Sequence, residues 1–244
     1  AETKSVGAGH NYLIQHSAGS GKTNSISWLA HQLSGLHAND AKVFDTVIVV
    51  TDRTVLDAQL RDAIWQIDHQ QRHVVPITRD SGESKSAKLT RALTERAPIV
   101  IVTIQTFLPA LKLIQETAAL AGRSFAVIAD EAHSSQTGTS AGALTKVLTA
   151  EEQAQLADGG EVDTETLLAA AMANAAHAKN ISFFAFTATP KSKTLELFGR
   201  RPADAGPDAL PAPFDLYSMQ QAIEEGFILD VLQSYTPYKQ AWKL

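Results

Sequence analysis

The sequence predicts an α/β fold with a central, mostly parallel sheet flanked by helices, and two patterns in it lead there. Short β-rich runs alternate with amphipathic stretches rich in Ala and Leu, the order that joins parallel strands through helical crossovers. Several runs are apolar almost throughout, among them Thr46-Val47-Ile48-Val49-Val50 and Ile99-Val100-Ile101-Val102, as strands covered on both faces must be. The sheet is therefore expected at the centre of the domain.

Residues Ala1 to Gly9 lead almost at once into a strand and read as a connector, so the chain is expected to be part of a longer one. Strands are expected over Tyr12–Gln15, Thr46–Thr51, Val74–Ile77, Pro98–Val102, Phe125–Ala129 and Ile181–Phe186. Helices are expected over Lys22–Leu36, Thr54–Gln66, Ser84–Arg96, Phe107–Ala121 and Thr164–Ala178. Ser134–Asp163 is rich in Ser, Thr, Gly and acidic residues with weak periodicity, which predicts a mobile surface insertion. Gly199–Pro213 is dense in Pro, Gly and Ala and reads as a linker. Tyr217–Gly226 then has a helical pattern. The organisation expected is one lobe over residues 1–198, a linker over 199–216, and the incomplete start of a second lobe over 217–244.

Composition narrows the function by exclusion. The 244 residues contain no cysteine, which rules out disulfides and thiolate metal sites. No apolar stretch approaches the roughly 18 to 20 residues that span a bilayer, and no basic segment followed by an apolar core opens the chain. A cytoplasmic protein without a membrane partner is expected. A net charge of −5 argues against coating DNA through a broad basic surface, so any nucleic-acid contact must be local.

The strand at Tyr12–Gln15 runs into His16-Ser17-Ala18-Gly19-Ser20-Gly21-Lys22-Thr23 and then into a helical pattern. Strand, glycine-rich loop and helix together make a phosphate-binding loop credible. Backbone N–H groups can wrap a phosphate only where side chains are absent, which Gly19 and Gly21 permit, and the helix N-terminus adds partial positive charge. Ser20 completes the loop, Lys22 would reach the terminal phosphates of ATP, and the Thr23 hydroxyl would hold Mg²⁺. His16 stands where the strict pattern has its first glycine. A plain glycine-rich turn is the alternative reading.

A second apolar strand ends in Ala129-Asp130-Glu131-Ala132-His133. Carboxyl ends of parallel strands line the ligand crevice, which places Asp130 to hold the magnesium ion and Glu131 to orient and deprotonate the attacking water. Asp-Glu at a strand end could also be a solvated turn. The third element, Phe186-Thr187-Ala188-Thr189-Pro190, again follows an apolar strand directly. The hydroxyls of Thr187 and Thr189 could hydrogen-bond to the acidic motif, His133 included, and report the state of the γ-phosphate.

In this order the three motifs resemble the first motor domain of superfamily 2 helicases and translocases, a resemblance that covers residues 12–198 and implies a RecA-like fold. Longer stretches narrow it. The loop itself, Asp130-Glu131-Ala132-His133-Ser134-Ser135-Gln136, Phe184 through Lys191, and Tyr217 through Val231 look like the R subunit of type I restriction enzymes. That resemblance implies an ATP- and Mg²⁺-dependent motor on double-stranded DNA, joined to modification and specificity subunits. It also implies that Arg53, with Thr103, Gln105 and Thr106, contacts the phosphate backbone, a kind of contact that positions a protein without reading sequence. Gln59 is spaced one residue further from Arg53 than in the common helicase pattern.

Two other readings stay open at this point. Another superfamily 2 helicase, from repair or a type III restriction motor, would carry the same motifs. A phosphate-loop kinase shares the strand, loop and helix, but the Asp-Glu-Ala-His and Thr-Ala-Thr pair argues against it. No acidic cluster with a lysine, as a restriction nuclease would need, is found.

Overall fold

A computed structural model describes residues 2–51, 54–67, 74–78, 84–107, 111, 114, 117, 120, 122–130, 179–201, 206 and 209–230. Seven parallel strands form its sheet: β1 (Asn11–His16), β4 (Thr46–Thr51), β5 (Val74–Pro76), β6 (Ile99–Thr103), β7 (Phe125–Ala129), β8 (Ile181–Thr187) and β9 (Asp215–Tyr217). Their order across the sheet is β5-β6-β4-β7-β8-β1-β9. A separate two-stranded hairpin joins β2 (His37–Ala38) to β3 (Ala41–Lys42). The helices are α1 (Glu2–Val6), α2 (Lys22–Ser34), α3 (Thr54–Ile67), α4 (Lys85–Thr94), α5 (Ser192–Phe198) and α6 (Met219–Glu224). The expected α/β fold is the one found.

Alternation along each central strand divides the core between two faces. Ile48, Val50, Val100, Val102, Phe125 and Val127 point to one face, where Leu89 and Leu93 of α4, Phe107 and Phe198 cover them. Val47, Val49, Ile99, Ile101, Ala126 and Ile128 point to the other, under Ile26, Ala30 and Leu33 of α2 and Leu60 and Ile64 of α3. Each such side chain, fully buried, contributes about 1.5–3 kcal/mol of transfer free energy, so two covered faces explain why the strands tolerate no polar alternation.

The helices follow from local chemistry. In α2 the buried positions Lys22, Ile26, Ala30 and Leu33 recur at helical spacing, and the Gly35 N–H closes the C-terminus on the His31 carbonyl. His31 also ties α2 to α3, its Nε2 lying 2.9 Å from the Ile64 carbonyl oxygen. Ser84 caps α4 and Ser218 caps α6, each hydroxyl accepting a first-turn N–H.

The segment read as a linker returns to the sheet. Arg200 and Ala212 form an antiparallel bridge, and Asp215–Tyr217 then pairs in parallel with Ile14–His16. The sheet thus extends past residue 198. The Arg200 guanidinium lies 4.9 Å from the Tyr12 ring centre and 4.6 Å from that of Phe214, and it pairs with Glu2 at 2.7 Å, which fastens α1 to the same edge. At Gly199 there is no room for a methyl group. A Cβ there would collide with the Leu195 carbonyl and come within 2.9 Å of the Pro211 side chain. Gly199→Ala is therefore expected to cost about 1–3 kcal/mol, read in thermal unfolding as a Tm lower by roughly 2–10 °C; an unchanged Tm would show that this packing is not kept in solution.

The expected insertion at Ser134–Asp163 and the expected helix at Thr164–Ala178 lie outside the described residues. Of the helix expected at Phe107–Ala121 only single positions are described, Leu111 and Ile114 among them, both buried.

Candidate active site

Because all seven strands run the same way, their carboxyl ends share one edge of the sheet. Strand order decides which loops meet there. β7, β8 and β1 are consecutive neighbours, so Asp130 after β7, Thr187 at the end of β8 and the loop after β1 converge from segments far apart in sequence. This is the crevice beyond the strand ends where open α/β sheets receive their ligands.

The loop at Ser17–Gly21 owes its shape to glycine. Gly19 and Gly21 have φ of +76° and +87°, a backbone region that L side chains rarely adopt, and Gly21 is the N-cap of α2. A methyl at Gly19 would also approach Ile228 to 3.3 Å. Having no side chain, Gly21 leaves the first turn of α2 open to an anion from outside.

Lys22 and Asp130 meet at the loop. The ammonium group lies 3.4 Å from Asp130 Oδ1, and each side chain is only 9% exposed. Two opposite charges this well buried are costly to desolvate and add little net stability even when paired, so a purely structural reason for them is weak. Thr187 ends β8, the strand between β7 and β1, and is fully buried, its hydroxyl accepting the Thr189 N–H at 3.3 Å. Thr189 itself is exposed, and Thr23 lies one position after Lys22 in the first turn of α2.

The sequence pattern of the SWI2/SNF2 ATPases matches residues 2–243. The chain belongs to the SWI2/SNF2 ATPase family. No curated protein matches it. As a SWI2/SNF2 ATPase it is an ATP-using motor of superfamily 2, and its parallel sheet is the RecA-like core of that class.

This SWI2/SNF2 ATPase has a hub at the loop that its sequence does not announce. His16 is 6% exposed, with Nδ1 at 3.0 Å from the Ser20 hydroxyl and Nε2 at 3.2 Å from the Ser25 hydroxyl. Ser17 and Ser20 are bonded as well, Oγ to Oγ at 2.9 Å, and Ser20 donates to the Ser17 carbonyl at 2.6 Å. The His16 ring faces Tyr217 on β9 at 4.9 Å between centroids, and the Ser17 N–H donates to the Tyr217 carbonyl at 3.0 Å. Tyr217 in turn donates its phenol to Glu225 at 2.6 Å. That bond, with lesser help from burial and the neighbouring negative charge, pushes the phenol up to about 12. The same bond first, and one from Gln221 second, holds the Glu225 carboxyl below its ordinary value.

Beside the loop, a cavity of about 590 Å³ runs along α2 from Ser20 and Gly21 past Trp28 to Phe214 and Phe227. On the other half of the edge, Thr103 at the end of β6 and Thr106 just beyond it are buried with their hydroxyls 3.2 Å apart, and Gln105 between them is half-buried. Gln59 is exposed on α3. Arg53, Glu131 and His133 lie outside the described residues. Among the described residues no helix is long and apolar enough to cross a membrane.

Proposed function

We propose that this SWI2/SNF2 ATPase drives translocation along double-stranded DNA as the motor of a type I restriction enzyme's R subunit. The observation that carries the ATP site is the buried pairing of Lys22 with Asp130 beside a loop shaped by two left-handed glycines. Lys22 binds the terminal phosphates, while Gly19, Ser20 and Gly21 offer backbone N–H groups. The cavity between Trp28, Phe214 and Phe227 has room for the base.

The donors present suit magnesium. Mg²⁺ typically takes one or two carboxylates together with substrate phosphates and keeps several waters, so the buried carboxylate of Asp130 and the Thr23 hydroxyl are a fitting protein contribution. Bound there, the ion would neutralise charge on the phosphates. Asp130 and Thr23 would hold it. Glu131 is the proposed base that orients water, and His133, Thr187 and Thr189 are the proposed reporters of the γ-phosphate.

The restriction reading rests on the long sequence stretches from Asp130 to Gln136, Phe184 to Lys191 and Tyr217 to Val231. Arg53, Thr103, Gln105 and Thr106 are the proposed DNA contacts. Strand order supports that division, because β4 and β6 lie next to the ATP half of the edge on the side away from β1. The protein carrying this chain should hydrolyse ATP faster with duplex DNA and displace a third strand from a triplex without separating the duplex. Unwinding of a partial duplex would favour a repair or type III helicase instead, and turnover indifferent to DNA would sink both.

A further inference from the structure

We infer that His16 is a positioning residue that holds the phosphate loop in its receiving shape, and this rests on the ATP site proposed above. A glycine at this place would contribute no side chain. The buried His16 ring instead ties the loop to three surroundings at once: Ser20 within the loop at 3.0 Å, Ser25 in the first turns of α2 at 3.2 Å, and Tyr217 on β9 at 4.9 Å between ring centres. Hydrogen-bond arithmetic fixes one direction. Ser20 spends its single proton on the Ser17 carbonyl and already accepts from Ser17, so His16 Nδ1–H is the donor to Ser20.

Ser20 is thereby held by three bonds, and it lies between the two glycines whose left-handed backbone aims the loop's N–H groups. Glycine is the residue most costly to order, so a loop built around Gly19 and Gly21 needs such a brace. If only a fraction of chains hold the receiving shape before ATP arrives, the apparent affinity falls by that fraction. Losing the two hydrogen bonds of the brace makes a loss of about tenfold or somewhat more the expected scale.

The test measures ATP affinity by calorimetry with magnesium, alongside Tm, for the chain and for His16→Phe, His16→Asn and the control Lys22→Ala. His16→Phe keeps a ring against Tyr217 but no nitrogen, and should bind roughly tenfold more weakly at a similar Tm. His16→Asn restores a donor toward Ser20 and should recover to within about threefold. Parent-like binding by His16→Phe overturns the inference, as does equal weakness of the Phe and Asn variants, which would mean bulk packing alone. If His16→Phe does not fold, His16→Ala takes its place under the same criteria. A Lys22→Ala chain that binds ATP as well as the parent would overturn the ATP site itself, a failure distinct from that of His16.

Discussion

Lys22→Ala should lower ATP affinity by about 1.5–3 kcal/mol, a factor of roughly ten to more than a hundred, because it deletes the charge-assisted contact proposed to the terminal phosphates. The structure adds a second consequence. Lys22 is the cation 3.4 Å from the Asp130 carboxylate, and removing one partner of a buried pair leaves the other charge with less compensation. Some loss of stability in the ATP-free chain is therefore expected together with the binding defect. The two effects separate in a double substitution. Lys22→Ala with Asp130→Asn removes the buried charge as well as the cation, so Tm should recover while ATP affinity does not. Calorimetry with magnesium and thermal unfolding read the two quantities independently. Equal ATP affinity in Lys22→Ala and the parent would remove the loop from the nucleotide site.

The parts legible in sequence were those determined by local pattern. β4 could be read from Thr46 to Thr51 because a strand buried on both faces needs an unbroken apolar run, and α2 because Lys22, Ile26, Ala30 and Leu33 follow its period. The loop could be read because its glycines answer a backbone requirement that no other residue meets easily. β9 was not legible. Asp215-Leu216-Tyr217 is too short for a strand signal and follows a Pro- and Gly-rich stretch, and its conformation comes from pairing with the open edge of β1. The hairpin at His37–Lys42 did carry a local sign, since Asn39 and Asp40 take φ of 48° and 65°, the positive values that a tight two-residue turn demands.

The same division runs through the site. Motif spacing pointed to Lys22 and Asp130, and the parallel sheet brought them together across β8, which lies between their strands. His16 was readable only as a missing glycine. What makes it a hub is Tyr217, some two hundred positions away in the chain, and no local pattern encodes that contact. Such a contact also gives the loop a physical link to α6, because Tyr217 bonds Glu225 at the far end of that helix and Phe227 packs edge-on against the same ring at 6.4 Å. The phosphate loop and the chain beyond β9 are thus in direct mechanical contact.

Glu131→Gln should cut DNA-stimulated ATP turnover by on the order of a hundredfold or more while leaving ATP affinity nearly unchanged. Its neighbour in sequence, Asp130, directly follows β7 at the crevice with Lys22 beside it, which fits a role in holding charge rather than in moving a proton. In the proposed site Glu131 is the carboxylate that would orient the water, and phosphoryl transfer depends on that positioning and on charge stabilisation more than on covalent chemistry. The amide of Gln keeps the size and a hydrogen-bonding oxygen but accepts no proton, so binding should survive where turnover fails. The comparison needs both measurements on the protein carrying this chain, ATP affinity by calorimetry and steady-state turnover with saturating duplex DNA. Turnover close to the parent's would show that another group is the base. Lost ATP binding would instead give Glu131 a structural place in the pocket, and the separation of roles between the two adjacent carboxylates would fall with it.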